Sequence, residues 1–179
     1  MRLALVLWML SIFLGAVLLT TPAWAADPSV ADPLFAETDA PPLKATLSLP
    51  LTDLLRSRKK PQPFDATLTV NGRTHALSVS SRGKSRLVHC PFPPLWLDFD
   101  KDGLNGSVFE GQNKLKLVTH CKTSLAPYGY SAAEMLVYRM LNRLTDRSFR
   151  VRALEITYVD TMQNETMVQH AFVIEHKKR

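Results

Sequence analysis

Two alternating runs, Phe64-Asp-Ala-Thr-Leu-Thr-Val70 and Arg73-Thr-His-Ala-Leu-Ser-Val79, are separated by Asn71-Gly72 alone. A two-residue connection between strands requires a type I′ turn, which needs positive φ at both central positions, and Asn-Gly is the pair that supplies it. The segment therefore predicts an antiparallel hairpin. Phe64, Ala66, Leu68 and Val70 share one face, and Leu77 and Val79 extend it across the turn, so this face should line a core. A chain that contains such a hairpin is committed to a sheet with one buried side.

Further segments add to it. Lys44 to Leu49 alternates as a strand, and Pro50 to Arg56 reads as a short helix closed by basic residues. Arg56, Arg58, Lys59 and Lys60 precede Pro61 and Pro63 and read as a solvated loop. Leu95 to Phe99 is a strand, and the turn-rich stretch from Asp100 to Gly106 lacks the ligand spacing of an EF-hand. Lys114 to Cys121 alternates, with Leu115, Leu117 and Cys121 on one side and Lys114, Lys116 and His120 on the other. Ser131-Ala-Ala-Glu134 has the form of a capping box ahead of Val137, Met140, Leu141 and Leu144, which fall on one helical stripe. Phe149 to Val159 and Thr166 to Glu175 read as an antiparallel pair around the polar loop 160–165. The expected fold is α+β, an antiparallel sheet with one principal helix, and the last strand is read as a sheet edge open to docking or self-association.

The start of the chain sets the compartment. Met1 and Arg2 precede a nearly continuous apolar run from Leu3 to Leu19, and Ala23-Trp24-Ala25 offers small residues at the −3 and −1 positions of a cleavage site. Residues 1–25 are read as a signal peptide and residues 26–43, with Pro28, Pro33, Pro41 and Pro42, as a flexible leader. Residues 44–179 form the single domain. No second run approaches the ~18 apolar residues of a membrane span, so no transmembrane anchor is expected after cleavage. The mature protein is expected in the periplasm or outside the cell. The formal charge of +6, less Arg2, favours anionic partners such as a membrane surface or an acidic cell-wall polymer, while export separates the chain from nucleic acid.

Cys90 and Cys121 are the only cysteines, and an oxidising compartment favours their joining. Closing a loop of about thirty residues would contribute roughly 3 to 4 kcal/mol through the unfolded state. Each cysteine follows a histidine, so a zinc site of His89, Cys90, His120 and Cys121 is the alternative. Adjacent side chains on a strand point to opposite faces, which makes it hard for one ion to collect both members of each pair.

Arg82-Gly-Lys-Ser-Arg86 contains Gly-Lys-Ser, but a phosphate loop needs a glycine at position 78, where Ser78 stands. Arg82, Lys84 and Arg86 still form a basic trio able to bind an anion. The sequence holds no Gly-x-Ser-x-Gly elbow, no His-Glu-x-x-His pair and no papain-like cysteine context.

Ser81-Arg-Gly-Lys-Ser-Arg86, Cys90-Pro-Phe-Pro-Pro-Leu95, Phe109-Glu-Gly-Gln-Asn-Lys-Leu-Lys-Leu-Val-Thr-His-Cys121 and Ser148-Phe-Arg-Val-Arg152 together resemble a family of uncharacterised exported bacterial proteins. That family is distantly similar to the amino-terminal lobe of spore-coat CotH-type atypical kinases. The resemblance implies a kinase-like lobe in which Lys116 or Lys114 grips nucleotide phosphates, Glu134 is its helix partner, and ATP with magnesium is the cofactor. The chain stops at Arg179, before a second lobe with its base and metal ligands, so phosphate transfer by this chain alone is not expected. The expectation is therefore a non-catalytic binding or structural module of the envelope without a cofactor. It would engage a partner or anionic polymer through Arg82, Lys84, Arg86 and Lys116. The rival expectation is the incomplete half of a phosphotransferase.

Overall fold

The computed structural model describes residues 32–36, 40–122 and 129–176; the signal-peptide reading of residues 1–25 lies outside them. The hairpin forms as the alternation predicts. Strand β2 (Phe64–Val70) passes through Asn71 and Gly72, with φ of 51° and 75°, into β3 (Arg73–Ser81). Ala66, Leu68 and Val70 are buried, and so are Leu77 and Val79 across from them. His75 joins the same buried face and meets the Phe109 ring edge-on at 5.4 Å.

The remaining strands are β1 (Leu43–Leu49), β4 (Leu95–Phe99), β5 (Lys114–Val118), β6 (Val151–Asp160) and β7 (Glu165–Ile174). They close into a barrel in the order β1-β2-β3-β4-β5-β7-β6. Every pairing is antiparallel except the seam, where β1 runs parallel to β6 from Leu43↔Leu154 to Leu49↔Asp160. This corrects the expected fold: the chain is a closed mixed barrel, not an α+β open sheet with one principal helix, and it does not resemble a kinase-like lobe. Alternation shows which side of a strand is buried, but an open sheet packed on a helix and a barrel packed on itself share that pattern. The seam joins segments with more than a hundred residues between them, so no turn residue announces it. β7, read as an edge, is hydrogen-bonded by β5 on one side and β6 on the other.

Both ends of the barrel are stoppered. At one end Leu34 and Phe35, 1% and 2% exposed, join the barrel-lining core, although they lie in the stretch read as a flexible leader. Two apolar residues among prolines show no period, so only their placement reveals the anchor. The Asp32 carboxylate fixes it, accepting hydrogen bonds from Gln112 Nε2 at 2.7 Å and Arg150 at 2.8 Å. Arg150 also pairs with Glu175 at 2.8 Å and lies 5.4 Å over the Phe35 ring. At the other end α1 (Leu51–Arg56) inserts Leu51 and Leu54, while the Thr52 amide and hydroxyl donate to Asp160 Oδ2 at 3.0 and 2.5 Å.

Cys90 and Cys121 form a disulfide, which uses both thiols and closes the zinc alternative. The bond joins the end of α2 (Ser85–His89) to the chain leaving β5. Among the described residues no group of three metal-ligating side chains gathers. The predicted alternation stops early: β5 ends at Val118, Cys121 takes φ of 61°, and His120 turns inward. Phe92 then packs between His120, at 4.6 Å, and the inward-facing Tyr158, at 4.8 Å.

Helix α3 (Gly129–Leu144) lies on the outside of the barrel. Met135 and Tyr138 pack on a second apolar cluster of Val118, Val151, Phe172 and Ile174. The helix starts at Gly129, so Ser131 falls inside its first turn and the Ser131–Glu134 box is not its cap; the Glu134 carboxylate binds Arg86 instead. Among the described residues no helix is long and apolar enough to cross a membrane.

Phe35→Ala should lower the free energy of unfolding by about 3 to 5 kcal/mol in urea titrations with little change in slope. Burial lowers the His120 pKa from its ordinary 6.5. The unfolded chain then binds the proton more readily, so stability falls as pH drops below 6.5 and recovers above it. A second loss should follow in the carboxylate range. Burial acts to raise both Asp160 and Glu175, but hydrogen bonds from Thr52 and Met162, and from Arg150, hold them below their ordinary values. Their contribution is present above the unfolded carboxylate pKa and is lost as pH falls through the depressed folded one. Melting temperature against pH should show both steps, and His120→Leu should remove the first while leaving the second.

Candidate functional site

Residues that alternate away from the barrel interior on β4 and β5 build the floor of the site. Trp96 stands opposite Lys116, and Lys116 opposite Ile174, so an aromatic, a cation and an aliphatic side chain lie abreast on the outer surface. Lys114, one step further along the same face, pairs with Asp98 at 2.6 Å and sits 5.4 Å over the Trp96 ring. The Lys116 ammonium lies 4.6 Å from the centre of the Phe149 ring.

The wall comes from the segment that leaves β3. Gly83, with φ of 111°, turns the chain where a side chain would be strained, and the Arg82 amide donates to the Pro94 carbonyl at 2.8 Å. Arg82 is thereby laid across Trp96, its guanidinium carbon 4.9 Å from the ring centre. α2 follows at once and brings Arg86 to α3, where it meets Glu134 at 2.6 Å.

The result is an open cleft of about 310 Å³ lined by Arg82, Lys84, Arg86, Lys116, Glu134 and Tyr138. The basic trio and Lys116, named together in the sequence as contacts to an anion, line one cleft with Glu134. Lys114 does not line it. Burial lowers the Arg82 pKa, the nearby Arg86 charge acts the same way, and Glu134 and Tyr138 oppose them. A guanidinium stays protonated under such pressure. Arg82 Nε is buried with no hydrogen-bond partner among the described residues. The cleft therefore holds several cations near one carboxylate, with one guanidinium fixed by an aromatic face. Such a set can bind an anion of phosphate or carboxylate type through charge-assisted hydrogen bonds.

Two site residues escaped the sequence reading. Trp96 is the more legible of them, because an aromatic between Leu95 and Leu97 must point outward on an alternating strand. Tyr138 carried no such signal, since its side of α3 looked like the polar one. The nucleotide roles that the resemblance implied for Lys116, Lys114 and Glu134 came with a kinase-like lobe. The barrel offers a different frame, in which Lys114 binds Asp98 and Glu134 binds Arg86.

Two further hollows border the cleft's elements. One, of about 300 Å³, lies at Asp146, Arg147, Phe149 and Arg150 with Glu175 and His176. The other, of about 220 Å³, is an apolar groove between α3 and the outer faces of β6 and β7, lined by Pro42, Met135, Ala153 and Phe172. No protein-family model matches this chain, and no curated protein matches it.

Proposed function

We propose that this chain is an exported, non-catalytic module of the bacterial envelope that binds phosphate-bearing anionic polymers or surfaces through the Arg82–Lys116 cleft. The observation that carries the reading is the convergence of Arg82, Lys84, Arg86 and Lys116, drawn from two stretches of sequence, on one cavity. Scattered surface cations point at solvent in many directions, whereas these share a single hollow. Trp96 holds Arg82 in place before any ligand arrives, which reduces the ordering cost of binding. Export rests on the apolar run at residues 3–19 with its Ala-Trp-Ala site, and the disulfide accords with an oxidising compartment.

Inorganic polyphosphate is a suitable probe. In calorimetric titration it should bind the purified chain, and affinity should fall as salt is raised because the cations of an open cleft are screened. Lys84→Ala with Arg86→Ala should weaken binding by about tenfold or more, since two charge-assisted contacts are lost and Glu134 is left without its partner. Binding that ignores both salt and the double substitution would refute the assignment.

A further inference from the structure

Helix α3 is turned the unexpected way round. Its barrel side carries Ser131, Glu134, Met135, Tyr138, Arg139 and Asn142, of which only Met135 and Tyr138 pack on the apolar cluster. The opposite side carries Ala133, Leu136, Val137, Met140, Leu141 and Leu144, spaced three and four apart along its length. Val137, Met140 and Leu144 are 55%, 58% and 79% exposed, and Leu136 and Tyr130 are exposed beside them. A helix on a water-facing surface normally shows the reverse arrangement. Scattered exposed leucines need no account, but a whole apolar stripe does.

The charges around the stripe indicate what covers it. Arg143 borders one edge on the helix itself, with Arg147 just past its end. Lys84 and Arg86 stand on the other side, where the basic cleft meets Glu134 and Tyr138. The helix carries a single carboxylate, Glu134, and that group is paired with Arg86. Asp146 is the one further acid near its end. An apolar strip between two basic borders is the complement of an anionic bilayer surface: the aliphatic side chains enter the acyl boundary while long cationic side chains reach back to headgroup phosphates. A second copy fits less well. An isologous contact would set the arginine-edged strip against itself. A sixteen-residue helix also offers a face only about 24 Å long and ~10 Å wide, small beside the interface of a stable dimer.

We propose that α3 lays this outward face into the interface of an anionic lipid bilayer, with the basic cleft beside it taking lipid phosphates. The second half of this proposal rests on the anion-binding reading of the cleft; the first does not. The helix lies on the bilayer and does not span it.

Co-sedimentation of the purified chain with vesicles tests it, the amino terminus being checked by mass spectrometry so that every variant is compared in the same processed form. The wild type should partition onto vesicles of equal parts phosphatidylglycerol and phosphatidylcholine and onto phosphatidylcholine alone far less. Leu136→Gln with Met140→Gln should reduce that partition by about tenfold or more, because two aliphatic side chains leave the acyl boundary. Both residues are exposed, so the melting temperature and the polyphosphate affinity should stay at wild-type values. A wild type that ignores anionic vesicles, or a double variant that binds them undiminished, overturns the proposal. So does a concentration-dependent dimer in sedimentation that the same substitutions dissolve, which would assign the face to a second copy. Vesicle binding that needs Leu136 and Met140 in a protein blind to polyphosphate would uphold the α3 face and overturn the cleft.

Discussion

The parallel pairing of β1 with β6 is the interaction on which the rest of the molecule depends. Without it the sheet has two long edges of unpaired backbone groups, and its curved inner face has no opposite wall. With it, Leu47 and Leu49 of β1 close against Tyr158 and its neighbours on β6, and the interior fills with side chains. The seam also brings Asp160 beneath α1, where Thr52 binds it, so closing the barrel and stoppering that end are one event. The outer surface follows from the inner one. Because odd residues of β4 and β5 point inward, Trp96 and Lys116 must point out, and the cleft stands on that parity.

The polar knot at the opposite end shows how a buried charge is kept. Asp32 is 4% exposed, yet its carboxylate is held by Arg150 and Gln112, and Arg150 is shared with Glu175. An unpaired carboxylate at this depth would be costly; here each neighbour is also a partner. The knot ties four distant stretches of sequence, one before β1, one in the loop ahead of β5, one at the junction of α3 with β6 and one just after β7. It therefore locks the stopper in place as well as neutralising it.

Much of this was legible in the sequence wherever structure is local. Asn71-Gly72 announced its turn, alternation announced the faces of β2, β3 and the start of β5, and a single pair of cysteines announced the bond between Cys90 and Cys121. What remained hidden was non-local or aperiodic. Leu34 and Phe35 have no pattern around them, and the β1–β6 seam has no connecting turn. Cys121, at positive φ, breaks the alternation that His120 was expected to follow. The stripe on α3 was visible as a stripe, but periodicity gives only the width of an apolar face and never the direction in which it looks. The basic trio and Lys116 were named together as contacts to an anion, while the register that sets Lys116 beside Trp96 is encoded by no single segment.

The separation of β1 from β6 in sequence has a temporal consequence. A chain made from its amino terminus completes β1 through β5 while the strand that must close against β1 does not yet exist. Long-range pairings of this kind are the slow ones, because the entropy of the intervening loop has to be lost before any contact is gained. The bond between Cys90 and Cys121 spans 31 positions and lies wholly within the part made earlier. Oxidation can thus anchor a half-built wall during the interval in which β1 still has a naked flank. That interval, rather than the finished barrel, is when unpaired strand edges are open to other chains.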